Sequence, residues 1–143
     1  MKSHIQVTIR PKPRFLSEII DSSELWVFPD QNTILNSKSG ESFKFGYNHL
    51  DRVFPENATN AEIYHYLVHP LTELCFEGIR SHYYLVSTFA YGQTSSGKTY
   101  TVRGNEKCEG LIPLSIKEIF DKIESEKSKS RFTIKISYIE VSK

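Results

Sequence analysis

A chain of 143 residues with 38% hydrophobic and 13% aromatic content is long enough for one domain with a real core and too short to expect two. Its charges nearly cancel, 18 Lys and Arg against 17 Asp and Glu, which excludes a strong overall field drawing it to nucleic acid or to an anionic membrane. No apolar run approaches the ~20 residues of a spanning helix, and Met1–Ile5 lacks the apolar stretch of a secretory signal, so a soluble intracellular protein without nucleic-acid or membrane partners is expected, with Cys75 and Cys108 as free thiols.

Along the chain, Ile5, Val7 and Ile9 alternate with polar neighbours at the period of a half-buried strand, which Pro11 and Pro13 end. A short strand follows at Leu25–Phe28, a turn at Pro29–Asn32 and a polar hairpin-like loop at Asn36–Gly40. Phe43, Phe45 and Tyr47 alternate again, pointing to another strand before Pro55. Thr59-Asn-Ala-Glu62 is a capping box, and behind it Ile63, Leu67, Leu71 and Leu74 fall on one helical face until Gly78. Pro70 lies inside that helix and is expected to bend it or begin its second half, because it removes a backbone donor.

Tyr83–Ala90 is an almost continuous apolar run with β-branched members, as in a strand buried on both faces of a mostly parallel sheet. Lys98–Val102 opens a helix that Gly104 interrupts, and Asn105–Gly110 reads as a polar loop. Pro113 then suits a first helical turn, with Ile112, Ile116, Ile119, Phe120 and Ile123 at helical spacing. Phe132, Ile134, Ile136 and Tyr138 alternate once more, and the chain is expected to end on or just after a strand.

Gly92-Gln93-Thr94-Ser95-Ser96-Gly97-Lys98-Thr99 fits G-x-x-x-x-G-K-[ST]. A strand feeding a Gly-rich turn that opens a helix aims several backbone N–H groups at one place, the arrangement that cradles an anion. In that geometry Lys98 reaches the β- and γ-phosphates of a nucleotide and the Thr99 hydroxyl ligates Mg²⁺. The bare pattern also occurs by chance in Gly-containing surface turns. The apolar run directly before it, Leu85–Ala90, is the context that the motif demands.

The wider stretch Phe89–Gly104, with its Tyr91-Gly-Gln-Thr94 lead-in, closely resembles the phosphate loop of the kinesin motor family. Ile9-Arg10-Pro11-Lys12-Pro13 is similar to the family's first-strand V-R-x-R-P, and Phe43-Lys-Phe45 with Asp51-Arg-Val-Phe54 to its F-x-F-D-x-V-F. Glu62 through Pro70 to Gly78 resembles the long first helix, and Gly110–Phe120 and Ile136–Val141 the second helix and the strand after it, so the likeness covers essentially residues 1–143 in order. Thr99-Tyr-Thr101 and the helical Pro70 are similar to the centromere-associated branch. The resemblance implies a P-loop NTPase-type α/β fold, a mostly parallel sheet with helices on both faces. It implies ATP and Mg²⁺ as cofactors, with Arg10 and Pro13 flanking the adenine and Tyr100 stacking on it. It also implies tubulin as partner and a cytoplasmic, microtubule-associated location.

There are departures. Gly46–Leu50 intervenes between Phe45 and Asp51, Arg80–Val86 replaces a short link, and Lys12 stands where an Arg is common. Insertions of this kind are tolerated as surface loops because closure entropy grows slowly with length. His82, Tyr83 and Tyr84 are thus expected to be packing or loop residues. The strings N-x-x-S-S-R and D-L-A-G, which serve as switches in such motors, do not occur in the chain. The expectation is therefore the front portion of a motor head, an ATPase when complete and without motor-like turnover by itself. A non-enzymatic binding or scaffold module derived from the family is the alternative. A different P-loop enzyme is disfavoured by the absence of an N-K-x-D base-reading motif and of a lid-like Arg cluster.

Overall fold

The computed structural model describes residues 5–14, 26–44, 52–78 and 87–139. Readings that fall on Phe45–Asp51, on Arg80–Val86 and on Val141 lie outside the described residues.

Strand β1 (Thr8–Ile9) pairs in parallel with β5 (Arg52–Val53), Thr8 opposite Arg52 and Ile9 opposite Val53, and the pair continues as Phe54 N–H donates to the Ile9 carbonyl at 2.8 Å. Between them, β2 (Trp26–Asp30), β3 (Thr33–Asn36) and β4 (Ser42–Lys44) form an antiparallel meander. Its first turn is closed by Asp30, whose carboxylate accepts from Asn32 N–H at 2.7 Å and Thr33 Oγ1 at 2.9 Å; its second is closed by the Asn36 side chain, which accepts from Lys38 N–H at 3.0 Å. These are the turns expected from Asp and Asn, whose short side chains bond the backbone two residues on.

Helix α1 (Asn60–Leu67) starts at the expected capping box: Thr59 Oγ1 accepts from Glu62 N–H at 3.2 Å, and Glu62 Oε2 accepts from Thr59 N–H at 2.7 Å. The helix stops at Val68 and restarts as α2 (His69–Gly78), with Pro70 in the first turn of the second piece, where its missing N–H costs least. Val68 bridges the pieces, donating to the Tyr64 carbonyl at 2.8 Å and accepting from Thr72 N–H at 2.9 Å. The expected apolar stripe does not stay covered across the break: Ile63 is buried, while Leu74, three stripe positions further on, is 41% exposed.

Helix α3 (Lys98–Arg103) follows the Gly-rich loop, and the stretch expected to be a polar loop is instead a tight hairpin of β6 (Gly104–Asn105) and β7 (Cys108–Glu109). The hairpin closes against itself so tightly that a Cβ on Gly104, at φ +77°, would lie 2.2 Å from the Cys108 carbonyl oxygen. Helix α4 (Leu111–Glu126) carries Pro113 in its first turn, as expected, and packs on α1 and α2. The core gathers Phe54, Ala58, Ile63, Tyr64, Val68 and Leu111, all at most 8% exposed. Across α1, α2 and α4 run polar ties: Tyr64 Oη donates to Glu118 at 2.5 Å, His69 Nδ1 sits 2.8 Å from the same carboxylate, and Lys122 Nζ donates to Glu73 at 2.5 Å.

Two expectations are corrected. The central strand read over Tyr83–Ala90 does not form in its described part: residues 87–90 join no sheet, and Phe89 is 84% exposed. The alternating segment from Phe132 to Tyr138 likewise runs without ladder partners, with Ile136 at 84% and Tyr138 at 85% exposure. The physical reason is shared. A parallel-sheet strand is buried only when neighbours bond both its edges, and no described strand reaches either segment. Among the described residues the sheets are thus small, and the β1–β5 pair is parallel while the others are antiparallel.

Candidate functional site

A cleft of about 670 Å³ opens between the end of β1, the Gly-rich loop and helix α3. Of the residues singled out in the sequence, it brings together Arg10 and Pro13 at one end with Gly92, Ser96, Gly97, Lys98 and Tyr100 along the loop and helix. Gln93, Thr94, Ser95 and Thr99 belong to the same loop, exposed, without lining the cleft.

The loop curls through two left-handed residues, Ser95 at φ 63° and Gly97 at φ 96°, and Gly97 caps α3 from that conformation. For Gly97 this costs no Cβ clash, which is why the second Gly of the motif is needed there. Ser96 N–H closes the turn on the Gln93 carbonyl at 3.2 Å. Lys98 folds back over the loop, its Nζ donating to the Gly92 carbonyl at 2.8 Å and the Gln93 carbonyl at 2.6 Å. The ammonium is therefore held at the loop mouth by two neutral acceptors, which an anion entering the loop can replace with stronger charge-assisted bonds. Thr99 is exposed at the second position of α3, one residue after Lys98. A flexible ammonium, a hydroxyl one residue on and a loop closed around Gly97 fit a phosphate chain with Mg²⁺.

At the other end Arg10 and Tyr100 do not face one another across a gap. The guanidinium carbon of Arg10 lies 5.2 Å from the centre of the Tyr100 ring, a contact distance that leaves no room for a base between them. The pair forms one platform, and a base can stack on its outer surface. Arg10 is fixed by three bonds: Nη1 donates to Asn60 Oδ1 at 2.6 Å and to Thr101 Oγ1 at 2.7 Å, and Nη2 to the Ala58 carbonyl at 3.0 Å. Burial pulls the Arg10 guanidinium below its ordinary pKa, and the neighbouring Tyr100 phenol opposes that shift. The Tyr100 phenol is itself pushed up, first by its hydrogen bond with Cys108, then by burial, with Arg10 working against both.

Sequence reading missed Asn60 and Thr101. Asn60 is 3% exposed, and its amide nitrogen donates to the Tyr100 carbonyl at 3.1 Å and the Glu109 carbonyl at 3.0 Å. The amide has a single sensible orientation, because a flip would set NH₂ against the guanidinium and the oxygen against two carbonyls. A signal was present: Asn60 follows the true N-cap, Thr59, at a position where a poor helix former has no local reason to stand. Thr101 gave no such signal. Its hydroxyl donates to the Gly97 carbonyl at 3.1 Å while accepting from Arg10, which links the loop to the platform.

The described residues thus build an α/β unit in which a parallel strand pair and a Gly-rich loop leading into a helix share one cleft. The family model described as the kinesin motor domain matches residues 10–143. The chain belongs to the kinesin motor-domain family, whose fold is of the P-loop NTPase type. It is 34% identical over 137 residues to the kinesin-like protein KIN-7K, chloroplastic, of Oryza sativa subsp. japonica, covering 96% of this chain and 12% of that protein. To the kinesin-like protein KIN-7D, mitochondrial, of Arabidopsis thaliana it is 31% identical, covering 98% and 12%. To the kinesin-like protein KIP2 of Saccharomyces cerevisiae it is 34% identical, covering 96% and 21%. The chain therefore spans between about an eighth and a fifth of the length of these curated relatives.

Proposed function

We propose that the chain is the nucleotide-binding part of a kinesin-type microtubule motor, which in complete form couples ATP hydrolysis to movement along microtubules in the cytoplasm. The corresponding fold extends the β1–β5 pair into a larger, mostly parallel sheet with helices on both faces. The observation that carries the reading is a cleft with the Lys98 ammonium, held by two replaceable carbonyl bonds, at its loop end and a fixed Arg10–Tyr100 platform at the other. A polyanion and a flat ring system joined together match those two ends.

Gly92–Lys98 hold the phosphate chain, with Lys98 exchanging its two carbonyl bonds for phosphate oxygens. Thr99 is the residue that would hold Mg²⁺, an ion that neutralises phosphate charge in this class of chemistry. Arg10, Pro13 and Tyr100 receive the base. The loop and Lys98 counter the phosphate charge from one side, whereas phosphoryl transfer needs the attacking water oriented and the charge met from several sides.

Calorimetric titration of the purified chain tests the reading. Lys98→Ala is expected to abolish Mg·ATP binding with the far-ultraviolet circular dichroism unchanged. Tyr100→Ala is expected to weaken ATP while leaving inorganic triphosphate nearly unaffected. Undiminished binding to the Lys98→Ala variant rules the site out, and equal losses of ATP and triphosphate in the Tyr100→Ala variant rule out the stacking role.

A further inference from the structure

We propose that Asn60 is a positioning residue of the base end of this cleft, the buried amide that bonds both the Arg10 guanidinium and the Tyr100 main chain and so sets the two in register. The inference rests on the nucleotide-binding reading above and adds a residue to it.

The geometry is specific. Arg10 and Tyr100 are 90 positions apart in sequence and come from a strand end and a short helix, neither of which orders the other. The Asn60 amide touches both halves of their stack: Oδ1 accepts from Arg10 Nη1 at 2.6 Å, and Nδ2 donates to the Tyr100 carbonyl at 3.1 Å. The second Nδ2 hydrogen goes to the Glu109 carbonyl at 3.0 Å, which ties in the hairpin of β6 and β7. Oxygen and both N–H groups of one buried amide therefore serve three segments that meet at the platform. The residue that carries the amide is itself held rigidly, one position past a capped helix start packed in the core.

Arg10 has two other anchors, Ala58 O and Thr101 Oγ1. Ala58 stands just before the start of the helix that carries Asn60, whereas Thr101 moves with α3. Losing Asn60 leaves the guanidinium tied to α3 through the Thr101 hydroxyl alone, with no bond shared with the Tyr100 main chain, so the stack at 5.2 Å is less firmly set. A base meets a platform that must first be assembled, and affinity falls by that ordering cost. The phosphate end, built from Gly92–Lys98, does not touch Asn60.

The test is the ratio of ATP to inorganic triphosphate affinity, measured by calorimetry on the intact chain. Asn60→Leu, with the same forked side chain and no hydrogen bonds, is expected to lower that ratio about tenfold, within what base stacking contributes, with triphosphate affinity kept within about twofold. Arg10→Met is expected to lower it comparably, and adding Asn60→Leu to Arg10→Met to lower it no further, because both act on one stack. Asn60→Asp keeps the acceptor for Arg10 but sets a carboxylate oxygen against the Tyr100 and Glu109 carbonyls, so it is expected to lower the ratio at least about threefold with triphosphate affinity again kept within about twofold; it decides the matter if the Leu variant does not fold. A mere packing role lowers both affinities together. That result, a further drop in the double variant, or an Asn60→Asp ratio equal to that of the parent chain overturns the assignment. An unsubstituted chain that binds neither ligand sinks the nucleotide reading itself, and this one with it; binding of both with a ratio indifferent to Asn60 sinks this one alone.

Discussion

Around Phe54, side chains from β5, α1 and α4 close on one another, whereas at Phe89 and from Ile134 to Ile139 residues of the same apolar kind stand in water. The two regions do not differ in hydrophobicity. They differ in what completes them. A helix satisfies its own backbone and asks only for one covered face, so α1, α2 and α4 cover each other. An extended segment leaves a row of donors and acceptors on each edge, and its side chains are buried only after other strands have taken up those groups. Apolar character is a local property of the sequence; burial in a sheet is not.

The strongest way to break this comparison is to empty the closed region. Phe54 is 2% exposed, meets Tyr66 edge to face at 5.7 Å and carries the Arg52 guanidinium 4.9 Å above its ring. Phe54→Ala is expected to cost about 3–5 kcal/mol, the usual loss for a buried aromatic replaced by Ala. That is a large part of the total stability of a small domain. Urea unfolding followed by circular dichroism measures it, and a loss below about 1 kcal/mol would mean that Phe54 is not at the centre of the core.

How far the sequence could be read follows the same division. The capping box at Thr59–Glu62, the interruption at Pro70 and the first-turn Pro113 are local chemistry, and each stands where the residues put it. The turns at Asp30 and Asn36 were legible for that reason too. The hairpin at Gly104–Glu109 was not, because what makes it is the approach of Gly104 to Cys108 and Gly110, visible only once the chain has turned. The Gly-rich loop was plain as a pattern, while the contact between Arg10 and Tyr100, and the amide behind it, depend on segments 90 residues apart. The strands expected over residues 87–90 and Phe132–Tyr138 show the limit from the other side: alternation and β-branching describe a segment fit for a sheet without supplying one.

A second experiment sharpens the polar seam of the closed region. Burial, and then the hydrogen bond to Glu118, push the Tyr64 phenol up from 10.0 to about 12. The unfolded chain releases this proton near pH 10 while the folded chain keeps it to about 12, so the folded state binds more protons in that window. The stabilisation is therefore complete below pH 10 and is lost as pH rises towards 12, by up to about 2–3 kcal/mol at ~1.4 kcal/mol per unit. Tyr64→Phe is expected to cost about 1 kcal/mol at neutral pH, since Glu118 keeps its contact with His69 at 2.8 Å. It should also flatten the fall between pH 10 and 12. An alkaline fall of equal depth in parent and variant would place its cause in other groups.

The smallest effect is expected in the open region, and its smallness is what the comparison turns on. Ile136 is 84% exposed and lies away from the cleft, so Ile136→Ser removes no packing and leaves no cavity. A surface change of this kind stays within about 0.5 kcal/mol in urea unfolding. Association is another matter. Ile134, Ile136, Tyr138 and Ile139 form a short apolar, β-prone run whose backbone is not paired among the described residues, the kind of segment that templates pairing between chains. A polar residue in its middle lowers that tendency, so sedimentation of the variant over a range of concentrations is expected to show less self-association than the parent at unchanged unfolding midpoint. A stability loss above about 1 kcal/mol would instead mean that this segment is packed in solution, and the contrast with the region around Phe54 would fall.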